Sequence, residues 1–388
     1  MAVAGIVCEY NPFHLGHARQ LRQVREQLGA DAGIVCLMSG NFVQRGEPAV
    51  FDRAVRAAAA VDSGADLVLE LPVTCALRSA EGFASGAAEL FTLLGGTDFL
   101  AFGCECGDGA AVARTAALME TADFGAALRE NLARGLSYPA ARQAALTAAG
   151  GDGSLLRSPN DILAAEYAHA LSALGSPIRP LGLPRQGDYH DRTADPENPS
   201  ATAVRALLPA GGWEPFVPPE ARRHYEGAAV HAMAYGERAM LARLRALSKS
   251  DWERTAHGSE GLWSKVWKAV QAENSVEAVL AASKSKRYPR TRLQRLLTCA
   301  FLGLDAETLA ARPPYVRALA FSSRGRALLR GMRERGGLPV VNAGERPADG
   351  AFDALERRCA GLWGLFSAGA PESAAELVEN ARIYCKSL

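Results

Sequence analysis

Short apolar runs alternate with amphipathic stretches through the first half of the chain. The runs are bounded by turn-forming residues, which is typical of buried strands. They lie at Val3–Glu9, Ala32–Met38, Asp66–Leu71, Phe99–Phe102 and Pro177–Leu183. Helical spacing covers His17–Leu28, Asp52–Ser63, Gly82–Leu94, Arg114–Ala148 with a break at Tyr138-Pro139, a helix opened by Ser158, and Ser200–Leu208, while Gln186–Pro199 is a polar loop. This alternation predicts a parallel sheet covered by helices, with ligands beyond the carboxyl ends of its strands.

The pattern changes near Gly211-Gly212-Trp213, beyond which strand signals are few. Helical spacing there covers Glu220–Leu247, Gly261–Gln271, Ser275–Ser283, Arg290–Leu302 and the tail from Phe352 onward. A chain of 388 residues is long enough for two or three domains. We therefore predict an α/β domain over residues 1–211 and a mostly α-helical domain over residues 212–388.

The composition is that of an ordinary globular protein and excludes a polycation. Hydrophobic residues make up 48% and charged residues 22%, and the formal net charge is +1. Any contact with nucleic acid must therefore come from a local basic patch. The start of the chain has no signal-peptide features, and no apolar run reaches the roughly 18 residues of a membrane span. We expect a cytoplasmic protein without a membrane partner.

The eight cysteines mostly stand singly in apolar runs, as buried free thiols do. Cys104 and Cys106 form a Cys-x-Cys pair without the further ligands of a zinc cage, so they are a weak metal signal. The sequence predicts reduced thiols and no metal site held by the protein.

A histidine-containing turn, Asn11-Pro12-Phe13-His14-Leu15-Gly16-His17, lies between the first predicted strand and the first predicted helix. Gly16 lets a ligand approach the backbone closely. His14 and His17 are three residues apart, so at a helix start they face the same way. Free N–H groups at a helix start bind phosphate, and two imidazoles add donors for charge that develops during transfer. The turn predicts nucleotide binding and transfer; the alternative is two unrelated histidines near a turn.

A second phosphate signal is Ser200-Ala201-Thr202-Ala203-Val204-Arg205, at the start of another predicted helix. Its hydroxyls and N–H groups would hold the β- and γ-phosphates, with Arg205 as a charged clamp. The alternative is that Ser200 and Thr202 only cap the helix.

A long polar loop, Met38–Pro48, follows the second predicted strand. Its position at the carboxyl end of a strand favours substrate contact over an ordinary surface loop. The candidate substrate-contacting residues are Ser39, Gly40, Asn41, Gln44 and Arg45. Two carboxylates, Glu70 and Glu105, also lie at strand ends, and each is a magnesium ligand or a solvated edge charge.

Residues Lys284–Arg295 form a dense basic segment, in which six of the twelve residues are basic and none is acidic. Such a segment, with a tyrosine among the charges, suits an RNA backbone and a stacked base. The candidate RNA-binding residues are Lys284, Lys286, Arg287, Tyr288, Arg290, Arg292 and Arg295. The alternative is a solvated helix face, or long side chains that cover the core.

These motifs resemble a known family. His14-Leu15-Gly16-His17 is similar to the His-x-Gly-His signature of the nucleotidyltransferase superfamily, and Ser200–Arg205 to its Ser-x-Thr-x-x-Arg phosphate signature. More specifically, the chain resembles the bacterial tRNA(Met) cytidine acetate ligases. The matching stretches are Glu9–His14, Met38–Pro48, Asp66–Pro72, Phe102–Glu105, Ser158–Asp161, and Lys286-Arg287-Tyr288 with Thr291-Arg292. Cys104 departs from the family pattern, which has a small polar residue there.

The resemblance implies a Rossmann-like nucleotidyltransferase domain, a helical tRNA-binding domain and an ATP-dependent ligase reaction. Acetate would attack the α-phosphate of ATP to give acetyl-adenylate, and the acetyl group would pass to N4 of the wobble cytidine of elongator tRNA(Met). His14 and His17 would be catalytic. The implied ATP site is Val7, Cys8, Glu9, Tyr10, Asn11, Pro12, Phe13, His14, Leu15, Gly16, His17, Ala18, Arg19, Gln20, Gly103, Asn160, Arg185, Gln186, Ser200, Thr202 and Arg205. Pyrophosphate as leaving group implies Mg²⁺ that accompanies ATP.

Two other functions stay open at this point. One is a cofactor-synthesis nucleotidyltransferase that acts on a phosphorylated small molecule without RNA, against which the helical second half and its basic segment count. The other is a non-catalytic RNA-binding protein, against which the intact His14, His17, Thr202 and Arg205 count.

Overall fold

The computed structural model describes residues 1–185, 195, 199–285, 287–379 and 381–386. The strands are β1 (Val3–Cys8), β2 (Gly33–Ser39), β3 (Phe42–Val43), β4 (Glu47–Pro48), β5 (Leu67–Leu71), β6 (Phe99–Cys104), β7 (Arg179–Pro184), β8 (Val316–Phe321), β9 (Val340–Asn342) and β10 (Tyr384–Cys385). Up to residue 207 the helices are α1 (Leu15–Leu28), α2 (Arg53–Asp62), α3 (Val73–Ala76), α4 (Ala80–Leu94), α5 (Gly109–Met119), α6 (Ala122–Ala133), α7 (Tyr138–Ala148), α8 (Pro159–Ala173) and α9 (Ala201–Leu207). Beyond it they are α10 (Pro219–Tyr225), α11 (Met233–Ala246), α12 (Lys249–Arg254), α13 (Leu262–Ala272), α14 (Val276–Ser283), α15 (Arg290–Leu302), α16 (Ala306–Ala310), α17 (Ser323–Arg335) and α18 (Gly350–Gly364). Single 3₁₀ turns lie at Gly153–Leu156 and Glu214–Phe216, and a π-helical turn at Ala375–Glu379.

Eight of these strands form one sheet, in the order β10-β8-β5-β2-β1-β6-β7 with β9 beside β8. The strands β5, β2, β1, β6 and β7 are parallel to one another. β8 runs antiparallel to β5, with Leu67 opposite Phe321. Within the part of the chain that the structure describes, β3 and β4 form a separate small hairpin. The predicted α/β class is confirmed, in a mixed sheet that is mostly parallel.

Helices cover both faces of this sheet. On β2, Val35 and Leu37 belong to one hydrophobic core, whereas Ile34, Cys36 and Met38 belong to the other. The first core is closed by α4, α8 and α17, and the second by α1, α2 and α10. Because β2 is buried on both faces, its sequence is a continuous apolar run, which made it easy to predict.

A third core holds the helical second half together. It joins α11, α12, α13, α14, α15 and α18 around Trp252 and Trp363, which are both fully buried. The indole of Trp363 donates a hydrogen bond to the carbonyl oxygen of Ala49 at 3.1 Å, which attaches this core to the chain just after the hairpin. Among the described helices, none is both long and apolar enough to cross a bilayer.

The structure corrects the prediction for the second half. Strands β8, β9 and β10 lie beyond residue 212 and join the main sheet, although few strands were expected there. The tail, expected to be helical, ends in β10, and the predicted helix Glu220–Leu247 is two helices, α10 and α11. The sheet thus continues past the predicted boundary, so the division into residues 1–211 and 212–388 stays a prediction about function.

Helix boundaries in the first half also differ from the prediction. The segment Arg114–Ala148 contains breaks before α6 and α7, and α7 begins at Tyr138 with Pro139 in its first turn. Ser158 occupies the N-cap position of α8, but its side chain makes no capping bond. The predicted loop Gln186–Pro199 lies largely outside the described residues.

Candidate active site

The carboxyl ends of β1, β2 and β6 meet at one edge of the sheet, beside a cavity of about 360 Å³. The three polar clusters expected to gather there do so, because Asn11, Gln44 and Gly103 all line this cavity. The start of α9 completes the lining through Ser200 and Thr202. Segments that are far apart in the first half of the chain therefore line the same cavity.

Most residues of the predicted ATP site line the cavity. They are Val7, Cys8, Glu9, Tyr10, Asn11, His14, His17, Gln20, Gly103, Asn160, Arg185, Ser200, Thr202 and Arg205. The predicted residues outside the lining are Pro12, Phe13, Leu15, Gly16, Ala18 and Arg19. Gln186 lies outside the described residues.

The turn after β1 is held by distant parts of the chain. Tyr10 adopts a positive φ of 43° and is buried. The side-chain oxygen of Asn11 accepts a hydrogen bond from the Val50 N–H at 2.7 Å. The Phe13 N–H donates to the hydroxyl of Tyr225 at 2.9 Å. Tertiary contacts, which the motif itself does not reveal, therefore position the start of α1.

His14 and His17 form a stacked pair at the start of α1. Their ring centroids are 3.8 Å apart, and the ring planes differ by 28°. The Gly16 N–H donates to Nδ1 of His14 at 3.1 Å, and the His14 N–H donates to Nδ1 of His17 at 3.2 Å. Because both Nδ1 atoms accept hydrogen bonds, each neutral ring carries its proton on Nε2. The pair therefore offers two N–H donors at the cavity wall.

Burial keeps both rings neutral. It lowers the pKa of His14 to about 3, and the nearby Arg185 and Arg205 add to this shift. The pKa of His17 is held well below its usual range by burial, by His14 and by Arg185. Two stacked imidazolium rings would repel each other, so the neutral state also suits the geometry. At neutral pH the pair acts as hydrogen-bond donors and not as a proton source.

We expect neither ring to titrate near pH 6.5 in the folded protein. Below about pH 6.5 the unfolded chain binds protons on these imidazoles, whereas folded His14 stays neutral down to about pH 3. Their contribution to stability is therefore fully present above pH 6.5 and is lost as the pH falls toward 3. NMR titration of the ring protons tests this, with the urea-unfolded protein as control. A midpoint near 6.5 for either ring in the folded protein would contradict it.

The start of α9 combines a helix cap with a contact to the histidine turn. The side chain of Ser200 accepts from the Ala203 N–H at 3.0 Å, so it does cap the helix. Arg205 donates to the carbonyl oxygen of Asn11 at 2.6 Å and to the hydroxyl of Thr202 at 3.3 Å. The guanidinium group is thus fixed beside the turn that carries the histidines.

A hydrogen-bonded chain links β6, α8 and β7 on the opposite side of the cavity. Arg185 donates to the side-chain oxygen of Asn160 at 3.0 Å, and the Asn160 amide donates to Glu105 at 2.6 Å. Glu105 also accepts from the backbone N–H groups of Asn160 and Asp161, so it caps α8 in place of Ser158. Gly103 lies beside this chain and lines the cavity.

The two carboxylates at strand ends are occupied by protein groups. Glu70 is buried and accepts two hydrogen bonds from Arg53, at 2.7 and 2.8 Å, while Glu105 caps α8. Neither is a solvated edge charge, and neither offers a free set of oxygen ligands that would suit Mg²⁺.

A potential three-ligand group lies near the cavity, at Cys104, Cys106 and Asp161, whose ligand atoms are within 4.8 Å of one another. Two thiols do not suit Mg²⁺, which prefers oxygen ligands. Burial raises the pKa of the Cys104 thiol to about 12, and Cys106 adds to the shift. An oxygen of Asp161 already accepts from the N–H groups of Glu105 and Cys106. The group therefore shapes the turn after β6.

The loop after β2 divides into a structural part and a part that reaches the cavity. Asn41 bonds to Asp52 and to the Arg53 N–H at the start of α2, and Ser39 is fully buried. Gly40 packs against Glu70, since a Cβ there would lie 2.3 Å from the carboxylate. Gln44 and Arg45 line the cavity, and their contact with substrate stays a prediction.

Arg56 connects the carboxyl ends of β1 and β2 through hydrogen bonds to backbone carbonyl oxygens. Its side chain is completely buried and donates hydrogen bonds to the carbonyl oxygens of Glu9, Ser39, Gly40 and Phe51. The first three carbonyls belong to the strand ends and turns that build the cavity. A buried arginine thus fixes the distance between the histidine turn and the loop.

The hairpin of β3 and β4 packs directly on α15. Gly46 has a positive φ of 80°, and a Cβ there would lie 2.7 Å from both the backbone N of Arg295 and the backbone carbon of Gln294. The hydroxyl of Thr298 donates to the Gly46 carbonyl oxygen at 2.6 Å. The loop that lines the cavity is therefore joined to the helix that carries the basic segment.

Replacing Gly46 by alanine is expected to destabilise the protein by about 3 kcal/mol, because strain at positive φ adds to a clash with backbone atoms. Urea unfolding measures the loss. Gly211→Ala is the matched control, since Gly211 has a φ of 82° but nothing within 4 Å of a Cβ. It should cost about 1 kcal/mol. Equal losses of unfolding free energy in the two variants would show that the contact of Gly46 with α15 does not contribute to stability.

An apolar wall of the cavity was not predicted. It is formed by Phe83, Phe102, Leu163, Ala164 and Tyr167, from α4, β6 and α8. The rings of Phe102 and Tyr167 are 5.9 Å apart and nearly parallel, at 22°. Further lining residues that the sequence analysis missed are Val43, Glu47 and Ala201.

The basic segment lies around the start of α15 and outside the active-site lining. Arg290 pairs with Glu277 at 2.6 Å, and Arg287 and Arg292 both pair with Glu260. Tyr288 lies under the guanidinium groups of Arg287 and Arg292, at 5.8 and 5.1 Å from its ring centroid. Lys284 is exposed, Arg295 is buried, and Lys286 lies outside the described residues.

Comparison with known proteins finds relatives that match most of the chain. The family model of the HIGH nucleotidyl transferases matches residues 1–360. A tRNA(Met) cytidine acetate ligase of Acetivibrio thermocellus is 33% identical over 365 residues, covering 88% of both chains. One of Syntrophotalea carbinolica is 38% identical over 358 residues, covering 88% of this chain and 84% of its own. The chain belongs to the tRNA(Met) cytidine acetate ligase family.

Two solved structures of Thermotoga maritima TmcAL have the same fold. Thermotoga maritima TmcAL bound with alpha-thio ATP superposes with a TM-score of 0.87 at 29% identity, over 99% of both chains. The apo form of the same protein superposes with a TM-score of 0.89, again over 99% of both chains. The agreement includes the second half, whose strands the sequence did not predict.

Proposed function

We propose that this protein activates acetate with ATP and transfers the acetyl group to N4 of the wobble cytidine of elongator tRNA(Met). The observation that carries the proposal is the pair of neutral, stacked histidines between Arg185 and Arg205, in a cavity at the carboxyl edge of the sheet. Relatives that are named as this ligase match along most of the chain. A ligase acting on tRNA accounts for both the nucleotide site and the basic segment.

In the first step, a carboxylate oxygen of acetate attacks the α-phosphate of ATP, and the bond from that phosphorus to the bridging oxygen of pyrophosphate breaks. Acetate is already ionised at neutral pH, so this step requires no general base. The site positions the reactants and offsets charge on the phosphates. The Nε2–H groups of His14 and His17 and the guanidinium groups of Arg185 and Arg205 supply that charge compensation. Mg²⁺ would accompany ATP and shield its phosphates.

In the second step, the acetyl group leaves the adenylate for a cytosine that has been turned out of the anticodon loop. Unstacked bases of single-stranded loops are the usual targets of RNA-reading proteins. The hairpin packed on α15 connects the cavity to the exposed side chains of Lys284 and Arg287. The helical half thus supplies the tRNA contact, and a cytoplasmic location, where tRNA is found, agrees with this role.

The test is an assay in two stages: acetate-dependent exchange of pyrophosphate into ATP, followed by acetyl transfer to elongator tRNA(Met). We expect both activities. Exchange with a phosphorylated small molecule instead of acetate would favour a cofactor-synthesis nucleotidyltransferase. The absence of exchange with any acid would favour an RNA-binding protein without catalysis.

Removing charge from the basic segment should weaken tRNA binding and spare the exchange reaction. We expect the triple variant Lys286→Ala, Arg287→Ala, Arg292→Ala to lose about tenfold in tRNA affinity and to show a flatter dependence on salt. Filter binding at several salt concentrations measures both. The matched control removes three exposed arginines from the first half, Arg129, Arg134 and Arg157. Equal losses of tRNA affinity in the two triple variants would mean that the basic segment is not a specific binding site for tRNA.

A further inference from the structure

Glu47 belongs to the loop Met38–Pro48 but was not among its candidate substrate-contacting residues, and it lies on the wall between two cavities. It lines the active-site cavity together with the histidine pair. It also lines a second cavity of about 210 Å³, which lies among α11, α14 and α15. Glu47 therefore borders the active-site cavity on one side and the cavity of the helical half on the other.

The carboxylate of Glu47 is held in place by α15. The side-chain amide of Gln294 donates to one of its oxygens at 2.9 Å. The neighbouring Gly46 packs on the backbone of the same helix and accepts a hydrogen bond from Thr298. A carboxylate has about four acceptor positions, so the bond from Gln294 orients the group and leaves capacity for a ligand.

The helix that orients Glu47 also carries Arg290, which pairs with Glu277 beside the second cavity. Arg290 and Gln294 are one helical turn apart on α15, and both line the second cavity with Glu47. An RNA held by the start of this helix would approach the active site from the side of Glu47.

The described lining of the active-site cavity contains two carboxylates, Glu9 and Glu47. Glu9 follows β1, and one of its oxygens accepts from the Gln44 N–H at 2.8 Å, which holds the hairpin against the strand. Glu9 thus belongs to the nucleotide side of the cavity. Glu47 is the carboxylate on the RNA side, and glutamate is a natural acceptor for the exocyclic amine of cytosine.

We propose that Glu47 accepts a hydrogen bond from the N4 amine of the target cytosine and takes up its proton during acetyl transfer. The inference rests on the proposed function. N4 attacks the acetyl carbonyl carbon, and a C–N bond forms while the C–O bond to the phosphate of the adenylate breaks. AMP leaves with the electron pair of that bond, and one N4 proton passes to the Glu47 carboxylate and then to water. No electron is gained or lost, and no further reactant is needed.

The test compares Glu47→Gln with the wild type in both stages of the assay. Glutamine keeps the shape of the side chain but takes up no proton. We expect acetyl transfer to fall on the order of a hundredfold, far more than acetate-dependent exchange. Glu237→Gln is the matched control, because Glu237 lines the second cavity but not the active site.

Each outcome decides the matter. If the wild type transfers no acetyl group, the proposed function itself fails. If it does, equal losses of exchange and transfer in Glu47→Gln, or no loss in either, overturn the role of Glu47. Glu47→Asp keeps a carboxylate and should retain more transfer than Glu47→Gln, which guards against a folding defect. The reverse order of these two variants would also overturn the proposal.

Discussion

Replacing His17 by alanine is expected to lower the rate of acetate-dependent pyrophosphate exchange by about 10²- to 10³-fold, the usual cost of losing one preorganised donor to a transition state. The variant loses the Nε2–H at the cavity wall and leaves the His14 N–H without the acceptor that it contacts at 3.2 Å. The basic segment is untouched, so the affinity for tRNA should remain close to that of the wild type.

Two further variants make the His17 result specific. His169→Ala removes a histidine on α8 that pairs with Glu120 and does not line the cavity, so exchange should be retained. His17→Gln keeps an N–H donor near the position of Nε2 and should recover part of the lost rate. If His17→Ala kept most of the exchange activity, or lost tRNA affinity in parallel, the assignment of phosphate chemistry to this turn would be wrong.

Replacing Arg56 by methionine is expected to cost about 4 kcal/mol of the free energy of unfolding, because four buried carbonyl oxygens lose their donors at once. The strand ends that face the cavity depend on these bonds, so exchange activity should fall even in the fraction that folds. Urea unfolding followed by tryptophan fluorescence measures the first effect. Arg129→Met, at an exposed position of α6, is the control and should be close to neutral.

Arg56→Lys separates charge from geometry. An ammonium group keeps the positive charge but cannot reach donors in several directions as a guanidinium group does. We therefore expect it to recover less than half of the stability lost in Arg56→Met. Full recovery would mean that the charge, and not the set of hydrogen bonds to Glu9, Ser39, Gly40 and Phe51, stabilises this edge of the sheet.

The strands of the first half could be predicted because each is an uninterrupted apolar run between turn residues. β8 was missed because Arg317 interrupts the run from Val316 to Phe321. This arginine is almost completely buried and bonds to Glu356 at 3.0 Å and to Asp353 at 3.3 Å. A charge neutralised by residues far along the chain looks like a surface position in the sequence. Pattern alone therefore cannot distinguish the two cases.

The sequence predicts those residues of the site that belong to short motifs. It does not predict those that reach the cavity only because of how the helices pack. His14, His17 and Arg205 follow from their spacing and their positions at helix starts. Phe83 and Tyr167 look like ordinary helix-core residues, because helical periodicity does not show which core positions border an opening. The partners of the basic segment, Glu260 and Glu277, lie before it in the sequence and meet it only in the folded chain.

The antiparallel pairing of β5 with β8 has a consequence for synthesis of the chain. β5 leaves the ribosome long before β8 exists, and until then it is an open edge of a growing sheet. Such an edge invites pairing with other nascent chains. Glu70 lies within β5 and pairs with Arg53 of α2, a residue that has already been made. Charged residues on open strand edges discourage wrong pairing, and Glu70 with Arg53 places such a charge on β5 before β8 is made.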